Sequence, residues 1–296
     1  MKLLSAIFFG HWLIDQQWVE QVALPHIVQL RSGEISLAEF NKQITEGKQA
    51  STPSIVSPTG LEDKYISGKA ANGSVGIINM QGPLMKADGF CGEPGMITMG
   101  NWVKQMANDP KISAIVFNMD TPGGTVSGTM ELANIIKAVQ KPTIAFVDDM
   151  AASAGMWIAS AADEIVGVNP LAQVGSIGVY TRFADFGDYY KERGIKINDV
   201  YSRLSPEKNK AYREAQQGNL EPMRDDLDKL AIAFRETMQT NRGDKLSEEV
   251  LKGGMYYATD ALSFGLMDQV LNFEQTIARA RELAGGSKPK RVRQVS

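Results

Sequence analysis

The sequence predicts an α/β fold: a largely parallel β-sheet covered by helices on both faces. Three observations carry that expectation. Unbroken apolar runs recur, as in Ala114-Ile115-Val116-Phe117-Asn118-Met119 and Thr143-Ile144-Ala145-Phe146-Val147. Stretches of helical period separate them, as over 128–140, where Met130, Ala133, Ile136 and Val139 share one face. Glycine-rich turns close the strands, at Gly123-Gly124 and around Gly175 and Gly178. Strands buried on both faces read as continuous apolar runs, and parallel neighbours need crossover helices between them.

Taken in order, residues 1–43 alternate apolar and polar positions at helical spacing. Trp12, Trp18, Val22, Ile27 and Leu30 fall on one face, so an N-terminal helical extension is expected. The apolar run at its start is broken by His11 and Asp15. It lasts about a dozen positions, against the ~20 that span a bilayer, so a cytoplasmic protein is expected. No small-x-small cleavage site precedes a polar mature sequence. Residues 44–73 shift to Thr, Ser, Pro and Gly, a linker composition.

The main domain is expected over 74–284. Strands are read at 75–80, 112–119, 143–147 and 164–168, with helices at 97–108, 128–140, 183–193, 206–217 and 220–241. Short helical segments are expected within 246–271. Gly175 and Gly178 are read either as part of a substrate groove or as glycines that permit close strand packing. The tail, 285–296, carries Lys288, Lys290, Arg291 and Arg293 and reads as a disordered basic end.

Composition narrows the functional classes. A net charge of −3 gives no electrostatic case for a nucleic-acid partner. The single cysteine, Cys91, excludes an internal disulfide. Neither a cofactor nor a metal site is expected. Histidine is confined to His11 and His26, so no histidine follows the serine discussed next, as the α/β-hydrolase order would require.

That serine lies in Asp148-Asp149-Met150-Ala151-Ala152-Ser153-Ala154-Gly155-Met156, directly after an apolar strand. A strand that breaks into tiny residues and resumes as a helix presents Ser153 on a tight turn with backbone amides beside it. Gly123 and Gly124, about thirty residues upstream, and Ala154 are the candidate oxyanion donors through their N–H groups. Without histidine, a nucleophilic serine needs another base, and a desolvated lysine is the established alternative. Spacing leaves Lys208, Lys210 and earlier lysines all open.

Three segments, Asn118-Met119-Asp120-Thr121-Pro122-Gly123-Gly124, Ala151-Ala152-Ser153-Ala154-Gly155-Met156-Trp157-Ile158-Ala159 and Val174-Gly175-Ser176-Ile177-Gly178-Val179, resemble the signal peptide peptidase A (SppA) family. The resemblance runs from about Val75 to Val270. It implies a ClpP/crotonase-like fold of repeated β-β-α units and a serine endopeptidase with a Ser/Lys dyad. Ser153 matches the family nucleophile. Lys208, 55 residues beyond it, matches the base, although Ser205 stands where the family commonly has glycine. Ala154 replaces a frequent glycine and keeps the amide. Phage and prophage members look more similar than membrane-anchored ones. They imply a polypeptide substrate among phage scaffold or capsid proteins, and a homo-oligomer whose site is shared across subunits. A remnant signal-peptide peptidase, a crotonase-like acyl-CoA enzyme and a catalytically silent assembly protein are the competing readings.

Overall fold

The computed structural model describes residues 11–14, 28–29, 32–34, 36, 39, 52–89, 93–183, 187–243 and 246–286. Cys91, His26 and the basic tail fall outside them. The core is a sheet whose central strands are β4 (Ser74–Gln81), β5 (Ile112–Thr121) and β7 (Thr143–Ala152), mutually parallel. A short β6 (Gly123–Thr125) follows β5 directly. Towards its end β7 forks: β8 (Glu164–Gly167) pairs with 144–147, and β9 (Gln173–Gly175) with 150–152. Antiparallel β11 (Met255–Tyr257) closes that edge beyond β9, and β12 (Gln269–Val270) pairs with β8.

The alternation of side chains explains why these strands read as continuous apolar runs. Val75, Ile77, Ala114, Val116, Ile144 and Phe146 point to one face, packed on Ile277 and Ala280 of α8 (Phe273–Gly285). Ile78, Met80, Ile115, Phe117, Met119, Ala145 and Val147 point to the other. There they meet α1 (Met96–Asn108), α2 (Thr129–Lys137) and α3 (Ala154–Ser160). Both faces are therefore dry, as a parallel sheet requires.

Four further helices follow α3: the short α4 (Gly187–Glu192), α5 (Lys210–Gln216) and α7 (Ala258–Ser263), and the long α6 (Glu221–Arg242). Trp157 of α3 stacks on Phe234 of α6, with ring centroids 4.5 Å apart and planes 13° from parallel. The buried Arg242 at the end of α6 donates to both carboxylate oxygens of Asp268 at 2.8 and 2.9 Å, and its Nε donates to the Gly265 carbonyl at 2.8 Å. A buried charge is tolerated here because its donors are so fully used.

Two expectations are corrected. The stretch 44–73 is not simply a linker: β2 (Ser54–Val56) and β3 (Glu62–Lys64) form a hairpin that extends the sheet beyond β4. Its polar residues lie on an exposed edge, while Ile55, Val56 and Tyr65 are buried. Within 1–43, His11–Ile14 is a strand, β1, rather than helix; its pairing partners lie more than a hundred residues away, beyond the reach of local periodicity. Val28, Gln29 and Ser32 are helical. The mixed segment 246–271 holds a 3₁₀ turn (Glu248–Lys252) and one α-helix, with β11 and β12 on either side of that helix.

Candidate active site

The two motifs are brought together by the pairing of β5 with β7. Thr121 lies opposite Ala151. Two residues further along each chain come Gly123 and Ser153. β7 runs past its apolar stretch through exposed Asp148 and Asp149, then re-enters the core at Ala151 and Ala152. Ser153 ends it with φ +54° and ψ −112°, a backbone conformation that costs a serine on the order of 1–3 kcal/mol. The surroundings hold it there: its N–H donates to Gly175 O at 2.9 Å, and its carbonyl accepts from Trp157 N at 2.9 Å. The residue is 1% exposed, and its Oγ lies 3.5 Å from the carbonyl oxygen of Gly178.

The glycine strand beside it is anchored by residues that motif reading passed over. Thr121 Oγ1 donates to Gly82 O at 2.6 Å and accepts from Gly123 N at 3.1 Å. On the outer side of β6, Leu84 N donates to Gly123 O at 2.8 Å and Thr125 N to Leu84 O at 3.0 Å. A side chain at position 124 would run into the Leu84 carbonyl, so only glycine fits there. Gly123 adopts φ +105° and spends its N–H on Thr121. Each trans peptide unit points its C=O and N–H in opposite directions. The Gly124 N–H and C=O therefore both face away from Leu84, towards the edge of β6 that pairs with β1. The signal for Thr121 was its place just before Pro122-Gly123-Gly124; Leu84 carried none.

Among the described residues, no hydrogen bond joins either candidate lysine to this cluster. Lys208 is exposed, in the turn before α5, where its N–H donates to Ser205 O at 3.2 Å. Among the described residues it shares no hydrogen bond with Ser153. Lys210 Nζ pairs with Glu207 at 2.9 Å, and that hydrogen bond raises its pKa, the wrong direction for a general base. The segment leading to these lysines, 195–202, is irregular and exposed, and Val200 and Leu204 present 93% and 92% of their surface.

Comparison with known proteins decides the family. The model for peptidase family S49 matches residues 135–287, more than half of the chain. The chain belongs to peptidase family S49. The Clp protease model matches 101–168, the stretch that holds β5, the Gly-Gly strand and Ser153, in agreement with a ClpP/crotonase-like α/β fold. Capsid assembly protease C of Escherichia phage lambda is 30% identical over 227 residues, covering 72% of this chain and 50% of that protein. Protease 4 of Haemophilus influenzae is 26% identical over 262 residues, covering 85% of this chain and 39% of that protein. This S49 chain thus spans half or less of the length of these relatives. Among solved structures, an enoyl-CoA hydratase/isomerase family member is similar at 18% identity with a TM-score of 0.45, over 74% of this chain and 76% of that one.

Proposed function

We propose that this S49 chain is a serine endopeptidase in which Ser153 is the nucleophile and Lys208, supplied by a neighbouring copy, is the general base. The observation that carries the reading is Ser153 itself: a buried hydroxyl on a strained strand-to-helix turn, next to a glycine strand whose outer edge is fully used. Strain of this kind persists only where the surroundings over-determine it, and it concentrates at reacting groups.

In this mechanism the lysine amine takes the Ser153 proton as Oγ attacks the substrate carbonyl carbon. Negative charge develops on the carbonyl oxygen and is met by the N–H groups of Gly124 and Ala154. Gly123 shapes the turn, because its own N–H is committed to Thr121. The C–N bond then breaks, the lysine returns its proton to the departing amine, and water hydrolyses the acyl-enzyme by the same route.

The shared site is supported by the exposure of Lys208, which no hydrogen bond among the described residues joins to the buried Ser153, and by the bare apolar side chains before it. Ile197, Val200 and Leu204 form a surface that a second copy would cover. Burial there favours the neutral form of a lysine, which is the form a base must take. Similarity to the capsid assembly protease of phage lambda supports a polypeptide substrate among scaffold or capsid proteins in a host cytoplasm. Among the described residues no helix is long and apolar enough to cross a membrane. A second reading, a protease outside phage assembly that handles remnant signal peptides, is favoured by the similarity to Protease 4 across 85% of the chain.

The test is covalent labelling. A fluorophosphonate probe should modify the protein once, on the tryptic peptide that contains Ser153. Absence of labelling in the assembled protein, or labelling elsewhere, would remove the nucleophile assignment.

A further inference from the structure

The most telling strand outside the main sheet is β1. It runs antiparallel between β6 and β10 (Tyr180–Thr181), making a separate three-stranded sheet in the order β10-β1-β6. Trp12, Leu13 and Ile14 pair with Thr125, Gly124 and Gly123 on one side. His11 and Trp12 pair with Thr181 and Tyr180 on the other.

Both flanking strands belong to the site. β6 is the glycine strand, and β10 follows Gly178, whose carbonyl oxygen lies 3.5 Å from Ser153 Oγ. The outer edge of β6 is taken by Leu84, so the Gly124 N–H and C=O face β1. Their partner in register is Leu13. An antiparallel pair so oriented exchanges both of its backbone hydrogen bonds, which sets the Leu13 carbonyl at the Gly124 N–H. Ile14, the next residue, is buried. The gap between β6 and β10 is thus shaped to accept one extended chain through backbone pairing on both sides, the pattern of β-strand addition.

We propose that His11–Ile14 is a tethered occupant of the groove in which a polypeptide substrate binds. An incoming polypeptide takes the same strand position and the same direction, with one of its carbonyls at the Gly124 N–H where Leu13 sits. The segment therefore competes with external polypeptide, and access to Ser153 requires β1 to leave. This rests on the proposed function only for the identity of the competing ligand; the occupancy rests on the strand register.

Leu13→Pro in the full-length chain is the test. Proline removes the N–H that faces the Gly124 carbonyl and is poorly tolerated between two strands. Amide exchange at Gly124 and Tyr180, the two amides that face β1, should quicken in the folded variant, while that of Thr125, which donates to Leu84, should not. Fluorophosphonate labelling of Ser153 should accelerate about fivefold or more, the scale of one lost backbone hydrogen bond. A synthetic peptide spanning residues 10–16 should slow that labelling again. Unchanged exchange at Gly124 and Tyr180 overturns the proposal, even if both proteins label equally well, in which case the peptidase reading stands alone. Faster exchange with no labelling of either protein keeps the strand occupancy and removes the peptidase reading.

Discussion

Gly155 lies so close to Thr121 that a β-carbon on the glycine would stand 2.6 Å from the threonine Cγ2. This contact seats the first turn of α3 on the end of β5, one residue before the Pro-Gly-Gly turn. It sets the distance between the Ser153 turn and the glycine strand, while Thr121 Oγ1 fixes that strand from the other side.

Gly155→Ala should therefore be felt in both stability and chemistry. The added methyl group must push α3 or Thr121 aside, at a cost of about 1–3 kcal/mol typical of overpacking. Urea unfolding would report the loss, and peptide turnover should fall with it because the donors and the hydroxyl move apart. A stability change below about 0.5 kcal/mol would mean that the contact yields freely.

The two lysines before α5 should separate cleanly. Lys208→Ala is expected to lower kcat by a few orders of magnitude, while Lys210→Ala stays mild, because Lys210 is an exposed partner of Glu207. The opposite ranking would move the base to Lys210.

A shared site makes a prediction about mixtures. Ser153→Ala and Lys208→Ala proteins should each have lost their activity when alone. Allowed to exchange subunits, they should recover part of the activity, since some interfaces then hold an intact serine opposite an intact lysine. Confirmed exchange with no recovery, or full activity of an isolated monomer, would place both groups in one chain.

Asp109 gives a stability prediction independent of catalysis. Its buried carboxylate accepts from Gly68 N at 3.0 Å, Lys111 N at 3.0 Å and Tyr65 OH at 3.3 Å, with Lys141 nearby. The Gly68 hydrogen bond leads in holding its pKa below the usual carboxylate value, with further help from Lys111, Tyr65 and Lys141 against the opposing effect of burial. A lowered folded pKa means that the stabilisation is present above the unfolded value of about 3.9 and is lost as pH falls through the folded one. Asp109→Asn should therefore destabilise the protein at neutral pH, and its deficit should shrink below about pH 4. Thermal unfolding of both proteins across pH checks this; a deficit that stays constant would contradict it.

Much of the fold was legible because burial writes itself into local sequence. The strands at 112–119 and 143–147 announce themselves, being apolar on both faces. The extension of β7 to Ala152 did not, since Asp148 and Asp149 interrupt the run where the strand passes through solvent. The 54–64 hairpin was hidden by its exposed edge residues, and β1 by its dependence on partners far away in the chain. At the candidate site, the strand-to-helix turn at Ser153 and the turn into the paired glycines were readable from the sequence. The division of labour between Gly123 and Gly124 was not, because it depends on the Thr121 hydroxyl and the Leu84 backbone. No spacing rule selects a lysine whose exposed segment has its proposed contacts on another copy.

The central claim is that the Ser153 hydroxyl performs the chemistry. The most direct measurement is peptide turnover by folded, assembled Ser153→Ala beside the wild type. Removing one oxygen should leave the melting temperature nearly unchanged and abolish cleavage. Wild-type turnover by the folded Ser153→Ala protein would contradict the assignment.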